Sequence, residues 1–337
     1  MIVPTPLQAR TVRDLGERAL IERITARLAM PSWVVVGPGD DAAVIEPVRG
    51  ALEVLTTDVQ VEGVHFDRRF VPPDAIGHRA LAVNLSDLAA MGATPRVVLL
   101  SLVLPDTLEA AVVDGLLDGF LALAGAHKVV VVGGNISRSP GPMMVDVTAV
   151  GAVRPRRVLT RGGARPGDGV YVTGTIGDGS VGLQSLQQAQ GPVPLACQER
   201  YLRPQPRVRA GMVLGRNRAA SACMDTSDGL ADAVRQMAEA SQVGVALEAS
   251  ALPISHEVRE WHDAHGQSVI DAAVGGGDDY ELLFTVRPAH KGRLRDVQRR
   301  VGALPITKIG VVTKEHRLSI RTDAGERRLP SGFEHFR

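Results

Sequence analysis

Cysteine and lysine are nearly missing from this chain. Of its 337 residues two are Cys, at 197 and 223, and four are Lys, at 128, 291, 308 and 314. Two Cys without CxxC spacing exclude a disulfide framework and a thiolate zinc site, and they suit a reducing cytoplasm. The missing lysines go with a missing P-loop: no GxxxxGK[ST] occurs, so bound nucleotide charge has to be met by metal ions and Arg. No HExxH and no nucleophile elbow occurs either, which leaves metalloprotease and serine-hydrolase readings without an anchor. Net charge is +1, so no global basic field points to nucleic acid. The N-terminus lacks a signal peptide's basic-then-apolar order, and Asp114 and Asp118 interrupt the best apolar stretch, so no membrane span is expected.

What is present is an ordinary globular composition, 45% apolar and 22% charged. At roughly 150 residues per domain the length gives two domains. Residues 12–30 carry apolar positions at helical spacing, and Pro31 stops them. Val34 to Val36 and Leu52 to Thr57 read as strands, the second ending at Asp58. Asp74 to Met91 is a helix apolar nearly all round, which requires burial on several sides. Ile76, Ala80, Val83 and Asp87 share one of its stripes, so a carboxylate sits where burial demands a cation or strong donors. Arg96 to Leu104 is a strand, Leu108 to Ala126 a helix, Lys128 to Val132 a strand ending in Gly133-Gly134-Asn135, and Met143 to Val153 another strand. The Arg, Gly and Pro-rich stretch from Arg154 to Asp168 reads as a linker, placing the domains at 1–153 and 154–337. Gly169 to Thr173 opens the second half as a strand.

The chemistry is concentrated in acidic turns. Gly39-Asp40-Asp41-Ala42, Thr56-Thr57-Asp58, Asn84-Leu85-Ser86-Asp87, Asp225-Thr226-Ser227-Asp228-Gly229 and Gly275-Gly276-Gly277-Asp278-Asp279-Tyr280 each put carboxylates beside hydroxyls or glycines. Singly, each is an Asx-turn or helix cap. Together they suit hard cations, above all Mg²⁺ held between carboxylates and phosphates. Asp228 stands at the start of a patterned helix, where free amides favour a phosphate. Gly177 to Gly182 spells GxGxxG, yet residues 190–206 are Gln and Pro rich and supply no second strand, so a glycine turn into a packed helix is the better reading. His262 and His265, three apart on a polar segment, read as solvated surface.

With these motifs the chain resembles the thiamine-monophosphate kinase family, of the superfamily that includes aminoimidazole ribonucleotide synthetase. The resemblance runs through Gly39-Asp40-Asp41-Ala42, Val61-Glu62-Gly63-Val64-His65-Phe66, the Ala80 to Ala93 helix motif, Leu159-Thr160-Arg161, Ser227-Asp228-Gly229-Leu230 and Gly276-Gly277-Asp278-Asp279-Tyr280-Glu281-Leu282. It implies an N-terminal α/β domain whose sheet pairs across a homodimer into a barrel, and an α+β C-terminal domain. It implies Mg²⁺ ligands at Asp41, Thr56, Thr57, Asp58, Asp87, Asp225 and Asp228, ATP contacts at Gly134, Asn135, Arg161 and Ser227, and thiamine phosphate contacts at His65, Asp278 and Phe333. The implied reaction is ATP-dependent phosphorylation of thiamine monophosphate, with no general base. Rival readings are a nucleotide-binding relic and a sister enzyme with another acceptor. Two positions depart from the family pattern: Asn135 replaces an Asp, and Asp278 replaces a Glu.

Overall fold

A computed structural model describes residues 11–188 and 193–330. The chain divides into two compact units. One comprises Met1–Val48, Thr56–Asn84 and Arg96–Val150, the other Arg49–Leu55, Leu85–Pro95 and Gly151–Arg337.

In the first unit, α1 (Val12–Thr25) starts from a capping box in which Thr11 and Asp14 each accept the other's amide. It stops short of the expected residue 30. β1 (Val34–Val36) and β2 (Val44–Ile45) pair antiparallel and enclose the Gly39 to Ala42 turn. β3 (Leu52–Val61) runs past its expected end, so Asp58 is mid-strand. The pleat then exposes Thr57 on one face and half-buries Thr56 and Asp58 on the other.

The helix expected from Asp74 is α2 (Pro73–Ala90), with proline tolerated at its first position. β4 (Thr94–Pro105), α3 (Ala110–His127), β5 (Val130–Ser139) and β6 (Met144–Val153) complete a four-stranded sheet in the order β3-β6-β4-β5. β4 and β5 run parallel with α3 as their crossover. Gly77 and Gly119 let α2 and α3 meet backbone to backbone: a Cβ at either would lie 1.8 Å from a carbonyl oxygen, that of Leu116 or Asp74. α3 is in fact long and apolar enough to cross a membrane by composition, contrary to the sequence expectation. Val113, Leu116, Leu117, Phe120 and Leu123 are buried, and Asp114 and Asp118 pair with Arg23 and Arg27 of and after α1.

The second unit is built on a seven-stranded sheet in the order β13-β12-β9-β11-β7-β10-β8. Its elements are β7 (Gly169–Thr173), α4 (Asp178–Gln187), α5 (Leu195–Leu202), α6 (Val208–Asn217), β8 (Ala222–Asp225), α7 (Leu230–Ser241), β9 (Gly244–Glu248), α8 (His256–Ala264), α9 (Val269–Gly275), β10 (Leu282–Val286), α10 (Lys291–Val301), β11 (Ile306–Thr313), β12 (Leu318–Thr322) and β13 (Gly325–Arg328). β7, β10 and β8 are buried along their whole length, and Val172, Val234, Met237, Leu247, Val258, Trp261 and Leu283 share one core. The stretch read as a linker is anchored: after a 3₁₀ turn, Pro155–Arg157, buried Asp168 accepts the Arg165 amide at 3.1 Å and the Ser221 hydroxyl at 2.6 Å.

Candidate active site

β8 is buried at every residue and delivers Asp225 into the interior at its last position. Its carboxylate accepts the Ser86 hydroxyl at 2.6 Å and the Ser227 hydroxyl at 3.3 Å. Burial first, and then the charge of Asp87, push the Asp225 carboxyl up to about 6, with Asp228 adding and the two hydroxyls opposing. Asp87, Asp225 and Asp228 therefore crowd like charges around oxygen donors. A hard divalent cation relieves such crowding, and the donor set fits Mg²⁺. Among the described residues no three such side chains already stand in ligating geometry. α7 begins directly after Gly229, whose lack of a side chain leaves the first-turn amides without an internal cap.

The glycine-rich acidic turn lies against this one. A Cβ at Gly229 would lie 2.6 Å from the Gly276 carbonyl oxygen, and one at Gly277 2.7 Å from that of Ser227, so glycine is required on both sides. The Asp278 amide donates to the Ser227 carbonyl at 2.8 Å. Asp278 and Tyr280 both have positive φ, 67° and 52°, a conformation L side chains adopt at a cost. Tyr280 closes the turn by donating its hydroxyl to Asp278 at 3.0 Å.

Asp279 and Glu281 alternate with that pair and point inward. Asp279 accepts the Gly177 amide at 2.7 Å and the Gly179 amide at 3.0 Å; burial drives its carboxyl up to about 8 against the pull of those amides and of Arg200. Glu281, fully buried, is forked by Arg207 and bonded by Arg200 and by the Thr173 hydroxyl at 2.5 Å. Sequence reading missed this frame because Arg200 and Arg207 lie 81 and 74 positions from Glu281. It also settles the GxGxxG: the amides that would hold a pyrophosphate are capped by Asp279, and Gly182 packs α4 onto α5, its Cβ position 2.1 Å from the Cys197 carbonyl oxygen.

In the first unit a cavity of about 650 Å³ is lined by Asp40, Asp41, Ser101, Gly134, Asn135 and Thr148, among others. It brings together Asp41, Gly134 and Asn135. The two glycines expected to end β5 lie within it, and Gly134 is obligatory because a Cβ would sit 1.8 Å from the Leu100 carbonyl oxygen. Thr56, Thr57 and Asp58 are outside the lining. The Thr57 hydroxyl instead meets Thr148 at 3.1 Å and Asp146 at 3.3 Å.

His65 accepts the Val61 amide on Nδ1 at 3.0 Å, which puts its proton on Nε2 and makes that nitrogen a donor. Arg161 is exposed and bonded to Gln236 of α7 at 2.6 Å. Phe333 lies outside the described residues. The expectation for His262 is corrected: it is fully buried and bonded to Gln267 at 2.8 Å, because α8 turns it into the core, while His265 bonds the Trp261 carbonyl at 2.7 Å. The two rings have separate partners.

Residues 39–153 match the family model for the AIR synthase related protein N-terminal domain, and 165–323 match that for its C-terminal domain. Over 328 residues the chain is 36% identical to a thiamine-monophosphate kinase of Aquifex aeolicus, covering 96% of this chain and 99% of the relative. The chain belongs to the thiamine-monophosphate kinase family. The family's Bacillus subtilis member is 34% identical, over 96% of this chain and all of its own length. Among solved structures, the thiamine-monophosphate kinase of Stenotrophomonas maltophilia matches with a TM-score of 0.80 at 37% identity, covering 90% of this chain and 96% of that one. AaThiL complexed with AMPPCP and TMP matches with a TM-score of 0.75 at 34% identity, over 98% of this chain and 100% of that one.

Proposed function

We propose that this chain moves the γ-phosphoryl group of ATP onto the phosphate of thiamine monophosphate, giving thiamine diphosphate and ADP. The observation that carries the reading is the junction of two acidic turns: the crowded Asp87, Asp225 and Asp228 lie beside the strained turn that presents Asp278. Family membership supports it, as does the AaThiL structure, which binds an ATP analogue together with TMP.

In the reaction an oxygen of the acceptor phosphate bonds to the γ-phosphorus while the β–γ bridging bond breaks and its electrons leave with ADP. The acceptor oxygen is already anionic, so no general base is assigned, and catalysis rests on alignment and charge screening. Mg²⁺, when bound by Asp41, Thr56, Thr57, Asp58, Asp87, Asp225 and Asp228, supplies that screening. Gly134, Asn135, Arg161 and Ser227 are assigned to ATP. The Nε2 donor of His65 suits a substrate phosphate, the Asp278 carboxylate suits the cationic thiazolium, and Phe333 completes the substrate set.

We also read the domains as 1–153 and 154–337, supported by family matches at 39–153 and 165–323. A homodimer is supported by exposed apolar residues on one pleat of β3, Leu55 at 68% and Val59 at 44% exposure, a surface that asks for a partner. Two buried, unpaired Cys suit a cytoplasmic enzyme. The test is incubation with ATP, Mg²⁺ and thiamine monophosphate followed by chromatography of the thiamine esters. Thiamine diphosphate is the expected product; ATP binding by calorimetry with no product overturns the reading in favour of a nucleotide-binding relic.

A further inference from the structure

We propose that the second unit carries a separate anion site, a bowl of five arginines that takes a linear chain of phosphates. The bowl is lined by Arg154, Arg156, Arg157, Arg216 and Arg218, with Pro155 as the one other lining residue, around a volume of about 560 Å³. It includes none of the residues assigned to ATP, metal or thiamine phosphate.

The arrangement is built. Arg154, Arg156 and Arg157 flank and form the 3₁₀ turn, and Arg216 and Arg218 come from the end of α6. Gly215 lets the two meet, since a Cβ there would lie 2.4 Å from the Arg157 carbonyl oxygen. Arg218 caps α6 in the left-handed region at φ 49°, and Arg154 is tethered by Nη1 to the carbonyls of Arg49 at 3.3 Å and Gly50 at 3.4 Å. The negative end of α6 accounts for Arg216 and Arg218 but not for the other three. Elsewhere exposed arginines such as Arg13, Arg23 and Arg321 each meet an Asp or Glu. Among the described residues none of the five in the bowl has a carboxylate partner. In a chain of net charge +1, five arginines that line one concavity with no carboxylate partner among the described residues are a marked local excess.

Three features select the ligand. All the cations are Arg and none is Lys, which favours bidentate recognition of phosphate. Each guanidinium has about five N–H donors, so together they exceed what the oxygens of one orthophosphate accept, whereas contiguous phosphates supply enough. The lining has no aromatic ring for base stacking. The phosphate chain can come from inorganic polyphosphate or from a nucleoside triphosphate tail.

The test is calorimetric titration of the full-length protein with tripolyphosphate in the absence of divalent metal, alongside AMPPCP, orthophosphate, an oligo(dT) single strand and a poly-glutamate peptide. The double variant Arg156→Ala/Arg216→Ala changes two exposed side chains, and an unaltered melting curve certifies its fold. It is expected to bind tripolyphosphate at least about tenfold more weakly, while Arg156→Lys/Arg216→Lys, which keeps charge and loses the fork, falls between. The control Arg295→Ala/Arg300→Ala, on exposed positions of α10, is expected to bind as wild type. If the bowl variant weakens AMPPCP as much as tripolyphosphate, the source is a nucleotide tail; if it weakens tripolyphosphate alone, the source is inorganic. Equal affinity of wild type and bowl variant overturns the proposal, as does tighter wild-type binding of oligo(dT) or poly-glutamate than of tripolyphosphate.

Discussion

Asp225 accepts a hydroxyl from Ser86 at 2.6 Å across 139 positions of sequence, tying the end of a buried strand to the end of a buried helix. The residue after that serine is Asp87, whose charge adds to the burial that pushes the Asp225 carboxyl upward. Two carboxylates that act on one another this way repel, and a divalent cation between them would relieve the repulsion.

Asp87→Asn is therefore expected to abolish turnover, by about 100-fold or more, while leaving metal-free stability unchanged or raised by up to ~1 kcal/mol. Urea melts without Mg²⁺ and product chromatography check the two halves. An unfolded variant would make Asp87 a structural residue and remove it from the metal set.

Glu281→Gln acts the other way. Glu281 is fully buried while Arg200 and Arg207 retain 20% and 17% side-chain exposure, so losing the charge strands two largely desolvated guanidiniums. A loss of roughly 3–5 kcal/mol is expected from chemical denaturation. A loss below ~1 kcal/mol would mean the arginines find water or new partners instead.

The pH dependence of stability follows from Asp279. Burial pushes its folded carboxyl up to about 8 from the ordinary value of 3.8, so the folded state binds the extra proton between those values. That contribution is fully present below the unfolded pKa and is lost as pH rises through about 8. Melting temperatures of wild type are expected to fall from pH 5 to pH 9 more steeply than those of Asp279→Asn. Parallel curves would show that Asp279 stays ionised when folded.

Asn135 shares its cavity with Asp41. Asn135→Asp adds a carboxylate there, and the Mg²⁺ concentration at half-maximal turnover is expected to drop on the order of fivefold. An unchanged Mg²⁺ profile would place the Asn135 side chain away from the metal.

Much of the fold could be read from periodicity alone. α2 and α3 declare themselves by apolar stripes, and β7 by a short β-branched run. Strand ends were harder, because β3 and β5 continue through Asp58 and through Gly133 and Gly134, residues that usually punctuate. Their pairing partners hold them extended, and Gly134 is there for the Leu100 carbonyl instead of for a turn. The acidic turns were visible as motifs. The frame behind them was not, since Asp279 meets Gly177 and Gly179 about a hundred positions away and nothing in either stretch names the other. His262 was misjudged for a related reason: its polar neighbours face solvent while α8 turns it inward along with Trp261.

The Asp279 cap has a consequence for ligand traffic. The seat at the head of α4 has the shape of a nucleotide cradle, yet its occupant is a side chain of the same chain, present at an effective concentration no dissolved phosphate can match. The cradle is thus closed to the enzyme's own anionic substrates and products. A mimic of the nucleotide phosphates would find the sequence motif and no vacancy behind it.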